Sequence, residues 1–204
     1  MTRVPAPAAL ALFAAMLGSG LMLPAQDTQE RVNKIFDRIE ESRGTALWQG
    51  IRELEDLGRG ATEGVRKGLT RADGYVRIAA AKILYGQELR DEALDALGKV
   101  MSGKNVHAKK IAADMAASLV GSDKGLVGAD RQKIAARFEA QATESDDPLT
   151  QVSLWRAVYN LTKGMKPVRE VRALHSGAGD RREAHENAFL CLDRILAMLH
   201  RLTD

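Results

Sequence analysis

Histidines, cysteines and clustered carboxylates are the side chains that could do chemistry at neutral pH, and this chain spaces them unhelpfully. His185-Glu186 opens like the helix of a zinc protease, in which a second histidine four residues on completes one ligand face. Position 189 is Phe189, so that face is not built. His175 and His185 flank the turn Ser176-Gly177-Ala178-Gly179 and could meet as ligands. Lone histidines near helix ends more often cap carbonyls or face water. Glu144, Asp146 and Asp147 put three acids in one stretch, as a calcium loop or an acid–base pair would. A helix cap at Asp147 with two solvated neighbours accounts for them without a metal. Gly58-Arg59-Gly60 followed by Gly64 is the nearest approach to a phosphate-cradling loop, but the spacing is wrong and no strand precedes it, so two helix caps fit better. Cys191, the single cysteine, lies between Leu190 and Leu192 and reads as a buried apolar thiol. No catalytic, metal or cofactor site is expected.

The elements that carry these residues are helical. Of 204 residues, 31 are Ala and 24 are Leu, and only 4% are aromatic, a composition of helix formers poor in the residues that strands prefer. The 28% charged content with a net charge of +3 excludes a strongly charged disordered chain, and one cysteine excludes a disulfide scaffold.

Residues 1–25 stand apart. Arg3 is their only charge, and an apolar run follows from Ala8 to Leu23, broken only by Gly18, Ser19 and Gly20. This is the layout of a secretory signal peptide with cleavage after Ala25, which predicts export to a periplasm or medium and a folded domain over residues 26–204. Leu23, three residues before the cut, is large for that position, so an uncleaved anchor is the alternative, and membrane contact is expected only in that case. The run is shorter than the roughly 20 residues that span a bilayer.

The remainder is punctuated as a string of helices. A first helix is expected over Thr28–Arg43, with Asp27 as cap and Glu30 as its return partner. Val32, Ile35, Phe36 and Ile39 form its apolar stripe. Others follow at Thr45–Leu57, Ala61–Arg71, Gly74–Tyr85, Leu89–Met101, Val106–Val120 and Pro148–Lys163. Gly58, Gly86, Gly103, Gly121 and Gly164 stand just past helix ends, where a left-handed residue turns the chain back. Asp73, Asn105, Asp147 and Asp180 stand at helix starts. The stretch Ser122–Asp130 reads as a loop. Trp48 and Trp155 read as core or groove-edge residues. Five hairpins result, over residues 28–58, 61–86, 89–121, 129–164 and 167–202: an all-α helical-hairpin solenoid.

The hairpins repeat in sequence. Asp73-Gly-Tyr-Val76-Arg77-Ile-Ala-Ala80 superimposes 32 residues later on Asn105-Val-His-Ala108-Lys109-Lys-Ile-Ala112, so Arg77 falls on Lys109 and Ala80 on Ala112. Weaker copies begin at Asp147 and Asp180. The small residue lets a facing helix approach closely. Asp, then Val-Arg, a small residue three further on, and an aliphatic position (Asp73, Val76, Arg77, Ala80, Leu84) resemble the second helix of the HEAT repeats, strongly over Ala61 to Gly121. The resemblance implies a HEAT-like superhelix with second helices on the concave wall. It implies that Asp73, Arg77 and Lys109 tie repeats together rather than catalyse. HEAT-like domains also include lyases and base-excision glycosylases, so an enzyme, an enzyme subunit or a structural spacer is the alternative to an interaction scaffold.

Charge divides between the two layers. Residues 74–86 carry Arg77 and Lys82 without an acid. Residues 104–120 carry Lys104, Lys109 and Lys110 against Asp114, and residues 149–166 carry Arg156, Lys163 and Lys166 without an acid. The intervening first helices are net acidic, by two charges in residues 88–102 and two in 129–147. Lys82, Lys104, Lys110, Arg156, Lys163 and Lys166 are therefore the candidates for a basic concave face, which would attract an acidic protein segment or an anionic polymer. The competing reading is that these side chains solvate helix flanks or bond to neighbouring repeats. Scarce aromatics argue against base stacking and so against a nucleic-acid partner.

Overall fold

The computed structural model describes residues 25–176. The leader run, the Asp180 cap, His185 and Cys191 lie outside the described residues, as does the side chain of His175. Among the described residues there is no strand. The order is α1 (Ala25–Glu41), α2 (Leu47–Leu57), a 3-10 turn (Gly58–Ala61), α3 (Thr62–Gly68), α4 (Gly74–Gly86), α5 (Arg90–Met101), α6 (Val106–Ser122), α7 (Gly128–Glu144), α8 (Pro148–Thr162) and α9 (Lys166–Ser176). Neighbouring helices pair as α1/α2, α3/α4, α5/α6 and α7/α8, and α9 packs on α8. The described residues form an all-α solenoid of helical hairpins, four pairs followed by α9.

Local chemistry starts the second helices. Asp73, Asn105 and Asp147 sit in extended backbone, and their side-chain oxygens accept from the amides of Val76, Ala108 and Thr150, at 2.9, 3.1 and 2.7 Å. Each satisfies an amide that the helix start leaves without a partner, and Pro148 opens α8 with a residue that has no amide to satisfy. Asp27 is not a cap: α1 already runs from Ala25, which leaves Asp27 in the first turn, where a carboxylate complements the helix dipole.

Gly103 and Gly164 stand past the ends of α5 and α8 as expected, but of the expected glycine stops only Gly58 has the left-handed backbone. Gly58 has φ +66°, but Gly86 ends inside α4 and Gly121 inside α6, and the left-handed residues after α4 and α8 are Glu88 (φ 72°) and Lys163 (φ 54°). Gly121 serves proximity instead. A Cβ there would lie 2.8 Å from the Asn160 amide nitrogen, so its absence lets α8 close on α6. α6 runs on to Ser122, and the expected 122–130 loop shrinks to residues 123–127.

Packing sets the layers. In α1 and α2 one stripe is buried: Val32, Ile35, Phe36 and Ile39, facing Leu47, Ile51 and Leu54. In α4, α6 and α8 burial goes nearly all round the helix, made possible by Ala79, Ala80, Ala81, Ala112, Ala113, Ala116 and Ala117, all at or below 1% exposure. The second helices α2, α4, α6 and α8 pack on one another in unbroken series. Among the first helices α1, α3, α5 and α7, only α1 and α3 pack extensively. A row that is close-packed on one side and splayed on the other bends toward the close-packed side, which makes the second-helix row the inner one.

Candidate partner-binding face

Counted from their caps, the second helices present equivalent positions at a common height. The ninth residue after the cap position is Glu55 in α2, Lys82 in α4, Asp114 in α6 and Arg156 in α8. Lys82 Nζ lies 3.3 Å from Glu55 Oε1, and Arg156 Nη2 lies 3.4 Å from Asp114 Oδ1. Asp114 also accepts from the hydroxyl of buried Ser153. The face thus alternates in sign from one repeat to the next at this height. Each partner is roughly half to two-thirds covered, so these pairs act mainly as registration between repeats, worth under about 1 kcal/mol each.

The fourth position behaves differently. Arg77 donates from Nε to the Arg71 carbonyl, and Gln151 donates from Nε2 to the Ser145 carbonyl, each reaching six residues back to the turn that precedes its own cap. Lys109 instead points to the next repeat, with Nζ 3.6 Å from Asp146 Oδ1. Asp73 and Arg77 therefore brace their own hairpin, and of the three it is Lys109 that reaches across repeats. Ala80 and Ala112 are fully buried.

The six basic candidates separate into two groups. Lys82 and Arg156 are paired as above. Lys166 belongs to α9 rather than to the preceding second helix; it pairs with Glu139 of α7 and lies 5.9 Å from the ring centre of Trp155. Lys104, in the turn before α6, and Lys163, after α8, are exposed, and Lys110 is half-buried on α6. None of these three takes part in an ion pair among the described residues, although Lys163 Nζ lies 5.3 Å from the Tyr159 ring centre. Lys104 and Lys163 lie at opposite ends of the helices, so the unpaired cations do not converge on one spot.

The outer row is stitched by ion pairs. Arg71 of the α3–α4 turn reaches Asp37 at 2.7 Å, Arg66 reaches Glu92 at 2.9 Å, Arg137 reaches Asp95, and Lys133 reaches Asp91 at 4.0 Å. Between the rows, Arg38 of α1 holds Glu53 of α2 at 2.7 Å, and that hydrogen bond lowers the Glu53 carboxyl below its ordinary range.

One cluster escaped the sequence reading. The Tyr85 hydroxyl donates to Asp123 Oδ2 at 2.9 Å, Arg90 Nε donates to the same oxygen at 2.7 Å, and the Gly125 amide donates to Oδ1 at 2.8 Å. Hydrogen bonding from Arg90 holds the Asp123 carboxyl below its usual range, while burial pushes the Tyr85 phenol up. This clamp pins the α6–α7 loop to the α4–α5 corner. Its partners stand 33 and 38 residues apart, and no spacing or motif announces them.

Two of the remaining chemical candidates resolve into structure. Asp147 is the cap of α8, Gly58–Ala61 is a 3-10 turn, and among the described residues no group of three His, Cys, Asp or Glu side chains could hold a metal. Trp155 is 5% exposed and Trp48 is 55% exposed on α2. A cleft of about 330 Å3 opens between α6 and α8, lined by Ala117, Ser118, Gly121, Ser122, Arg156 and Asn160. No helix among the described residues is long and apolar enough to cross a membrane. Comparison of the chain with protein-family models, with curated proteins and with solved structures gives no match.

Proposed function

We propose that this protein is an exported, non-catalytic interaction module of the HEAT-repeat type that holds a protein partner along its row of second helices. The observation that carries the reading is the unbroken packing of α2, α4, α6 and α8, which builds one continuous surface from exposed Trp48 to the α6–α8 cleft. Extended surfaces built from stacked repeats suit long partner segments. An exposed tryptophan is the residue type that most often anchors them. Lys104, Lys110 and Lys163 are the cations left to meet acidic groups on such a partner, since Lys82, Arg156 and Lys166 are already paired. Export rests on the leader-like residues 1–25.

The test places a photo-crosslinking residue at Trp48 or Ser118 in the native host, and at Asp95 or Lys133 on the outer row as controls. Adducts of a defined mass from the first two sites alone are expected. Adducts from the outer sites alone, or from none of the four, would overturn the assignment of the face. Intact mass of the protein from its own host tests export. A chain starting at Met1 in the cytosol removes that part of the proposal.

A further inference from the structure

Two neighbouring hairpin tips carry opposite charge. Between Asp95 and Asp114 the chain holds Lys99, Lys104, Lys109 and Lys110 and no carboxylate. Between Arg137 and Arg156 it holds Glu139, Glu144, Asp146 and Asp147 and no Lys or Arg. Folding α5 onto α6 gathers the first stretch at one tip, and folding α7 onto α8 gathers the second at the next. The tips are adjacent. Lys109 Nζ lies 3.6 Å from Asp146 Oδ1, and a cavity of about 380 Å3 opens between them, lined among others by Met101, Lys109, Gln141, Glu144 and Asp146.

Neutralisation inside the chain is incomplete. Glu139 is taken by Lys166 and Asp147 by its capping bonds, but Glu144 is exposed, and the Asp146 side chain stays 90% exposed despite its contact with Lys109. On the basic side Lys99 and Lys104 are exposed and Lys110 is half-buried. Val106, in the first turn of α6 and two residues from Lys104, is 60% exposed.

We infer that this edge is a self-complementary interface through which two copies of the chain associate about a twofold axis. An axis lying in the interface and passing between the tips sets the basic tip of each copy against the acidic tip of the other, the arrangement an isologous contact requires. A foreign partner would have to match both signs at the spacing of one repeat, whereas a second copy carries that pattern by construction. Val106 supplies apolar surface for the contact to cover. Exposed charges steer and register such a contact more than they tighten it, so the association is weak and salt-dependent. The edge shares Lys104 and Lys110 with the second-helix row, but the test uses the purified protein alone, so its failure leaves the reading of that row untouched.

Sedimentation equilibrium on the protein purified from cells that make it provides the measurement. From about 0.01 M to about 1 M salt the Debye length falls from about 30 to about 3 Å, and the dimer dissociation constant should rise at least about tenfold. The double variant Lys104→Glu, Lys110→Glu makes both tips acidic or neutral, and Glu144→Lys, Asp146→Lys makes both basic or neutral. Each variant alone should be monomeric at low salt with unchanged helical circular dichroism, and an equimolar mixture should dimerise again because one of the two tip contacts then sets the unaltered acidic tip of one variant against the unaltered basic tip of the other. A wild-type monomer at low salt, variants that dimerise like wild type, or a mixture no heavier than its components would each overturn the inference.

Discussion

Asp123 receives the Tyr85 hydroxyl at 2.9 Å and the Arg90 guanidinium at 2.7 Å on a single carboxylate oxygen, and so ties the end of α6 to the corner where α4 meets α5. Asp123→Ala should destabilise the fold by about 1–3 kcal/mol, because the phenol of buried Tyr85 and a guanidinium lose their acceptor together. Asp123→Asn keeps an acceptor and should cost less. Paired thermal or urea melts of the two variants decide this, and equal losses would mean that the carboxylate's charge, not its shape or a neutral acceptor, carries the clamp.

The same clamp sets a direction with pH. The folded-state value of Asp123 is depressed below 3.8, so its contribution is complete above that ordinary value and is lost as pH falls through the folded value. Tyr85 is raised above 10.0, so the folded state holds the phenol proton more tightly than the unfolded state, and stability falls as pH climbs past 10. Urea midpoints across acid and alkaline series should show Asp123→Asn flattening the acid limb and Tyr85→Phe flattening the alkaline limb.

Two glycines should respond with opposite sign to alanine. A Cβ at Gly68 would fall 2.5 Å from the Phe36 ring, which is 1% exposed and cannot retreat, so Gly68→Ala should lose about 1–3 kcal/mol. At Gly86, the exposed last residue of α4, nothing lies within 4 Å, and Gly86→Ala should gain about 0.4–1 kcal/mol by restricting the unfolded chain. Melting temperatures report both; a loss at Gly86 would show that its backbone freedom is used.

Close approach at the repeat seam is tested by Ala80→Leu and Ala112→Leu. Both alanines are fully buried, and overpacking should cost about 1–3 kcal/mol at either site. A neutral Ala112→Leu would mean that the helices around α6 have room the burial does not suggest.

What could be read from sequence was local. Asp73, Asn105 and Asp147 identify the starts of α4, α6 and α8 because a cap acts within three residues, and Val32, Ile35, Phe36 and Ile39 identify the buried side of α1 because helical period is a property of the chain itself. Gly121 was legible as a glycine near a helix end but not as the room Asn160 needs, since its neighbour comes from another hairpin. The partners of the basic residues are hidden for the same reason. Net charge per helix counts Lys82 and Arg156 as available, whereas their partners Glu55 and Asp114 stand 27 and 42 residues away. Lys166 falls within the charge count over 149–166 yet opens α9, because the left-handed turn at Lys163 ends α8 before it.

The all-round burial of α4 has a consequence for how the molecule opens. This helix touches α1, α2, α3, α5 and α6, so no neighbouring pair can detach without exposing part of it, and it cannot leave before they do. In a chain whose stability is summed from repeat to repeat, such a helix holds the slowest-exchanging amides, and breathing motions start away from it. Hydrogen exchange should therefore rank Ile78, Ala79 and Ala80 among the last amides to exchange and α9 among the earlier ones, with α1 and α2 in between. The solenoid is a spring with its stiffest coil near the middle, free to change its pitch on either side while that coil keeps the register.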